Sequence, residues 1–528
     1  MFDILIKNGQ VIDGSRAPGF RADVAIQGDR IARVGKIEGA EAGRVVEAAG
    51  KTVVPGFIDI HSHGDMTLPA CPTADSSIYQ GVTTAVIGQC GLSPAPLFAK
   101  TRAEVISSLE PRKMPIPWER WSDFKSYLGF LKELGLSVNI VHLVGQGTIR
   151  GGIMGFGSGR ASPAEMEGMQ IETIRAMDAG AIGLSTGLVY PPGSYAPTEE
   201  LIELTRVVGQ RQGFYFSHIR GEDQALLEAA AEAIAIGRAT GTAVQISHLK
   251  AGWPRNWDKQ SRVIEMIDQA RQQELDVSAD AYPYLAGATS LKSTLPQWAQ
   301  EGGKEVVLKR LSNRDTRKKI IEAMGREGFC RDGSWDRVRI SRAFKRPDYA
   351  GRSVEELADK AGRGPEEWVL DALLETELDM GMITFMISED NLKAVLRHPA
   401  VMIGSDSFII STQGPLAQGT PHPRTFGTFP RVIAQYVREK KILSLEEAIH
   451  KMTGLPAQKL RLADRGLIRP GHKADVVVFD PETISDRATY EKPFQYPAGI
   501  HHVFCNGVSV LQEGEHTGMR PGQILIRG

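Results

Sequence analysis

Val53-Val54-Pro55-Gly56-Phe57-Ile58-Asp59-Ile60-His61-Ser62-His63 is the stretch on which the reading of this chain turns. An apolar run stops abruptly at two histidines separated by one residue. On a strand, alternate side chains share a face, so His61 and His63 point the same way. Their Cα atoms would lie about 7 Å apart, close enough for both imidazoles to reach one divalent cation. Alone, such a pair is equally consistent with two ordinary histidines. The chain on either side decides between the two.

Downstream, strand and helix alternate. Ser162-Pro163-Ala164-Glu165 is a capping box with proline at the first helical position, and Gly180 closes that helix before an apolar strand at 181–184. Thr198 is expected to cap a second helix that gives way to Phe214-Tyr215-Phe216-Ser217-His218. A third helix, near 223–240, precedes Ala243-Val244-Gln245-Ile246-Ser247-His248. A fourth, near 258–274, precedes Asp276-Val277-Ser278-Ala279-Asp280. Repeated units of this kind imply parallel strands with crossover helices. With about eight strand candidates between 53 and 406, counting the apolar runs at 381–387 and 400–405, the predicted fold is α/β, a (β/α)8 barrel of the TIM type. His61, His63, His218, His248 and Asp406 each end an apolar run, and the C-terminal mouth of such a barrel is where catalytic groups collect.

Residues 286–345 break the rhythm with charged, irregular sequence and read as an insertion over the mouth, a lid. Residues 1–55 carry short strands and the turn pair Asn8-Gly9, and β character returns after the helices near 427–453. Neither end buries enough surface alone, so the expected division is a small β-sandwich domain from 1–55 plus 456–528 and a barrel at 56–455.

Composition excludes several function classes. With 528 residues, 62 Lys and Arg against 63 Asp and Glu, and a net charge of −1, nothing favours nucleic acid or an anionic membrane surface as a partner. No signal peptide or membrane span is legible, and the four cysteines (Cys71, Cys90, Cys330, Cys505) form no disulfide pattern, so a cytoplasmic location is expected. The sequence is silent on oligomeric state.

The motifs PGFIDIHSH (55–63), GVTTAVIGQCG (81–91), GLSTGLVYPPG (183–193), SHIRGE (217–222), ISHLK (246–250), DAYPY (280–284), GSD (404–406), HPRTFGTFPR (422–431) and GLIRPGHKADVVVFD (466–480) run through nearly the whole chain. In this order they resemble the D-aminoacylase (N-acyl-D-amino-acid deacylase) family of the amidohydrolase superfamily. The residues are consistent with its chemistry. A hydrolytic zinc needs nitrogen, sulfur or oxygen ligands and one open position. His218 and His248 end neighbouring strands, and Cys90 ends an early one. Asp406 is the candidate general base, passing a proton from the attacking water to the departing amine, while the cation polarises the carbonyl.

Further assignments come from the resemblance alone. It implies a tightly held zinc on Cys90, His218 and His248, and a weaker second site of His61, His63 and Asp406 that shares the Cys90 thiolate. That thiolate takes the place of the carbamylated lysine of many related enzymes, and residues 181–189 contain no lysine. The resemblance also implies that Lys250 and Arg424, assisted by Tyr190 and Tyr282, receive the substrate carboxylate. It further implies a small-molecule N-acylated amino acid of D configuration as substrate. Two departures stand out: the segment between Asp406 and His422 is longer than the family pattern, and Gln146 occupies a position where histidine is expected. Gln146 is assigned no catalytic role.

Three alternatives stay open at this level. Gly183-Leu184-Ser185-Thr186-Gly187 matches the G-x-S-x-G elbow of serine hydrolases, although turn residues follow where a helix is required. A cyclic-amide hydrolase of the dihydropyrimidinase or dihydroorotase kind shares the fold, as does a scaffold protein that has lost its metal.

Overall fold

The computed structural model describes residues 1–109 and 114–526. Eight parallel strands form the central element: β1 (Phe57–Asp59), β2 (Val82–Ile87), β3 (Asn139–His142), β4 (Gly183–Gly187), β5 (Phe214–His218), β6 (Ala243–Ile246), β7 (Val277–Ala281) and β8 (Val401–Ile403). β1, β2 and β3 pair in sequence order, as do β4 through β8. The two sets join where Ile182 N–H donates to His142 O and Val144–Gly145 pairs with Leu184–Ser185. They join again beyond the strand ends, where Asp406 N–H donates to His61 O and His63 N–H to Ser407 O, each at 2.8 Å. The result is a closed barrel.

Alternation along each strand builds two layers. Ile58, Ile60, Val86, Val141, Ile182, Phe214, Phe216 and Met402 belong to one cluster inside the barrel. Phe57, Ala85, Ile140, Leu184, Tyr215 and Val244 face the surrounding helices. Burying side chains of this size contributes about 1.5–3 kcal/mol each. The helix Pro163–Ala179 forms as its sequence dictates, with a Ser162/Glu165 capping box and Gly180 at its C-cap. Thr198, in contrast, is the first helical residue rather than the cap, and its hydroxyl donates to Glu232.

Both ends of the chain enter one continuous nine-stranded sheet, in which Val476–Phe479 pairs antiparallel with Thr52–Pro55. Its double role shows in alternation: Val53, Val476 and Val478 enter the sheet's own core, whereas Val54, Val477 and Phe479 pack toward the barrel. The strand Phe2–Val11 pairs first with Ala42–Glu47 and then with Thr52–Pro55. The last residues, expected to belong to this terminal domain, instead leave the sheet and run along β3, where Ile140 N–H donates to Gln523 O and Leu525 N–H to Ile140 O.

The excursion between β7 and β8 is longer than the expected 286–345. Met380–Thr384, an apolar run that reads like a barrel strand, is the middle strand of a separate antiparallel sheet between Gly287–Ser290 and Val338–Ala343. It is paired on both sides and buried, so its sequence looks like that of a barrel strand, but its partners lie in the excursion.

Candidate metal and catalytic site

The residues that end the strands converge at the barrel mouth. The ligating atoms of His61, His63, Cys90 and Asp406 all lie within 4.8 Å of one another, and so do those of Cys90, His218 and His248. Cys90 belongs to both groups. Its Sγ lies 3.4 Å from His61 Nε2 and 3.6 Å from His248 Nε2. Asp406 Oδ1 lies 3.1 Å from His63 Nε2 and 3.4 Å from His61 Nε2. His218 Nδ1 is buried without a hydrogen-bond partner among the described residues.

Three of these side chains sit on strained backbone. Cys90, His248 and Asp406 have φ of 54°, 37° and 49°, in the left-handed region that non-glycine residues occupy at a cost of order 1 kcal/mol or more. Each is clamped. The Asp406 N–H is taken by His61 O and the His248 N–H by an Asp280 carboxylate oxygen at 2.8 Å. The Cys90 loop is fixed on one flank by Gln89 Nε2 donating to Ile60 O at 2.9 Å, and on the other by Gly91 N–H donating to Ser185 Oγ at 3.1 Å. Gly187 must be glycine here, because a Cβ would stand 2.1 Å from Cys90 O.

This corrects any reading of Ser185 as a nucleophile. Its hydroxyl is fully buried, donates to Gly88 O at 2.5 Å and accepts from Gly91, so both of its roles are spent on the loop that carries Cys90.

Electrostatics favour a thiolate and a carboxylate. Burial would raise the Cys90 thiol, but the neighbouring His61 charge and hydrogen bonds from His218, His248 and His61 bring it well below its ordinary value. Burial likewise opposes ionisation of Asp406, yet Arg424, His248 and His63 hold it well below the carboxylate range. His218 is lowered by burial and by the charge of His248, which keeps its imidazole neutral and able to act as a ligand.

Beside the donors lies a cationic and phenolic wall. Arg424 Nη1 is 2.8 Å from Asp406 Oδ2, and its guanidinium stacks 4.6 Å from the Tyr282 ring centre. The Tyr282 hydroxyl is buried with no hydrogen-bond partner among the described residues. Tyr190 packs edge-on against His218 at 5.0 Å, and its hydroxyl meets Thr289 Oγ1 at 2.9 Å. Lys250 Nζ donates to His248 O at 2.8 Å and to Glu222. The longer segment before His422 does not carry Arg424 away: His422 Nε2 meets Ala286 O at 2.9 Å, and its Nδ1 accepts the Arg424 N–H at 3.0 Å. Gln146 is buried against Glu200 and away from these groups.

Sequence reasoning missed four supporting residues. Asp280 ends an apolar run as the other site residues do, so the same signal marked it. Glu222 lies inside the SHIRGE motif, as does Arg220, whose guanidinium donates to Ser194 O and Ala196 O and steadies the loop after Tyr190. His422 opens the HPR motif. Their roles are fixed by partners distant in sequence.

Residues 44–511 match the amidohydrolase family. The chain is 37% identical to a D-aminoacylase of Alcaligenes xylosoxydans xylosoxydans, covering all of this chain and 98% of the relative. It is 36% identical to an N-acyl-D-glutamate deacylase of the same organism, covering 99% and 96%. The crystal structure of the N-acyl-D-glutamate deacylase from Bordetella bronchiseptica, complexed with zinc and a phosphonate mimic of the tetrahedral intermediate, superimposes with a TM-score of 0.83 at 34% identity over the full length of both chains. Among the described residues no helix is long and apolar enough to cross a membrane. With the fold, the donor groups and these likenesses in agreement, the chain belongs to the amidohydrolase family, in its D-aminoacylase branch.

Proposed function

We propose that this protein is a zinc-dependent hydrolase that cleaves the amide of N-acylated D-amino acids, releasing a carboxylate and the free amino acid. The observation that carries this reading is the buried Cys90 thiol, shared by two donor groups and flanked by the Arg424–Tyr282 wall. The D configuration rests on the relatives named above. The barrel is the catalytic unit in this reading, the terminal sheet supports it, and the segment following Tyr284 borders the substrate.

The donors suit zinc: one thiol and four imidazoles, all but His63 buried, with His218 Nδ1 lacking any protein partner among the described residues. Cys90, His218 and His248 would hold the tighter ion, and His61, His63 and Asp406 a weaker one sharing Cys90. When bound, zinc supplies Lewis acidity toward the acyl carbonyl and lowers the pKa of water. Asp406 takes the proton of the attacking water and delivers it to the departing nitrogen. Arg424 presents its fork to the α-carboxylate, and the Tyr282 hydroxyl, buried and without a hydrogen-bond partner among the described residues, donates beside it. Lys250 adds a further N–H, and Tyr190 bounds the pocket next to His218.

The test is amine release from paired N-acetyl-D- and N-acetyl-L-amino acids by zinc-loaded protein, with metal analysis. Turnover confined to D substrates is expected. Turnover of L substrates alone overturns the stereochemical assignment, and activity unaffected by complete zinc removal overturns the metal chemistry. Asp406→Asn should retain the tighter zinc and lose about 10²–10⁴-fold in turnover.

A further inference from the structure

Glu222 lies under the site, on the side of His248 opposite Cys90. The His248 ring has two edges. Nε2 faces Cys90 Sγ at 3.6 Å, while Nδ1 lies 2.8 Å from Glu222 Oε1 and 2.9 Å from Lys250 Nζ. Nδ1 can serve only one of these partners. If it carries the proton it donates to the carboxylate; if it does not, it accepts from the ammonium.

We propose that Glu222 is a positioning residue that holds His248 in the tautomer able to bind zinc and leaves Lys250 a single N–H for substrate. The proposal rests on the zinc reading above. A cation on the Cys90 side needs the Nε2 lone pair, so the proton must sit on Nδ1 and its acceptor is Glu222. The same carboxylate takes one donor of Lys250, and His248 O takes the second at 2.8 Å. Once Nδ1 is protonated, the third has no acceptor among the described residues. Gly287 packs beside Lys250 and Tyr282 without a Cβ of its own. A Cβ there would stand 3.4 Å from the Tyr282 hydroxyl and 3.9 Å from Lys250 Cε. The unit is tied together by Gly252 N–H donating to Glu222 O at 2.6 Å.

Without Glu222, Lys250 becomes the partner of Nδ1, the proton moves to Nε2, and the ligand edge is blocked. Removing a carboxylate that orients a ligating histidine typically costs about 10–100-fold in metal affinity. A mere counter-ion for Lys250 would leave that affinity unchanged.

The experiment measures the zinc dissociation constant of the full-length protein by competition with a chromophoric chelator, alongside thermal unfolding of the metal-free forms. Glu222→Ala should weaken zinc binding about 10–100-fold. Glu222→Asp, which keeps the charge opposite Lys250 but is too short to reach Nδ1, should show a comparable loss, and it stands in if the alanine variant does not fold. Lys250→Met alone should keep wild-type affinity within a few-fold, and added to Glu222→Ala it should recover part of the loss. Wild-type zinc affinity in a folded Glu222→Asp protein overturns the proposal, as does a loss in Lys250→Met equal to that in Glu222→Ala. Failure of the wild-type protein to take up zinc would instead overturn the metal reading itself.

Discussion

Asp280 Oδ1 lies 3.1 Å from Nδ1 of His61, on the far side of that ring from Cys90. The same oxygen accepts the backbone N–H of His248 at 2.8 Å, and the second carboxylate oxygen accepts from Gln245 Nε2 at 2.9 Å. One side chain at the end of β7 therefore orients a residue from each of the two donor groups. It also helps hold the strained backbone of His248.

Asp280→Ala would strand the His248 N–H and the Gln245 amide in the interior, at about 1–3 kcal/mol for each group. A lower urea midpoint is expected, together with loss of zinc from both donor groups. Full zinc stoichiometry at unchanged stability would show that Asp280 positions neither histidine.

Arg424→Met should act mainly on substrates that carry a free α-carboxylate. Hydrogen bonds to charged groups contribute about 1.5–3 kcal/mol, so kcat/KM should fall about 10–150-fold. Comparing each N-acetyl-D-amino acid with its carboxamide tests this directly. The wild-type preference for the acid should collapse in the variant, and a preference that survives would remove Arg424 from carboxylate recognition.

Ser185→Ala removes the staple between β4 and the Cys90 loop without removing any reacting group. Two hydrogen bonds are lost, at about 0.5–1.5 kcal/mol each. The expected result is a folded protein of reduced stability that remains active when saturated with zinc. Complete inactivity at full zinc occupancy would return Ser185 to the list of nucleophile candidates.

His142 predicts a specific acid sensitivity. Burial lowers its pKa from 6.5 to about 4, and its ring packs edge-on against Phe124 and Tyr127 with Nε2 lacking a partner among the described residues. Between pH 6.5 and 4 the unfolded chain binds a proton at this position that the folded chain does not. Stability is therefore complete above 6.5 and is lost as pH falls toward 4, by about 3 kcal/mol in total. His142→Phe should flatten this part of the pH–stability curve in urea titrations. An unchanged slope would place the acid sensitivity elsewhere.

Much of this was legible locally. A strand that ends in histidine or aspartate, as at Phe214–His218 and Val277-Ser278-Ala279-Asp280, announces both its direction and its polar terminus, because burial period and chain order are properties of short segments. That was enough to read the barrel and the polar residues that gather at its mouth from the sequence. The run Met380–Thr384 marks the limit. Five buried residues show that a strand is covered on both sides, but not which sheet covers it, and the structure pairs it inside the excursion.

Which residues support the donors was decided only by the tertiary structure. Asp280 and His61 are 219 positions apart, and Ser185 and Gly88 are 97 apart. Their hydrogen bonds depend on barrel closure, which no local pattern specifies. The sequence by itself determined that histidines, a cysteine and aspartates stand at or just beyond the strand ends. Folding decided that one cysteine would stand between two groups of donors, and that the GLSTG serine would fasten that cysteine's loop, because these are relations between strands and not properties of any one of them.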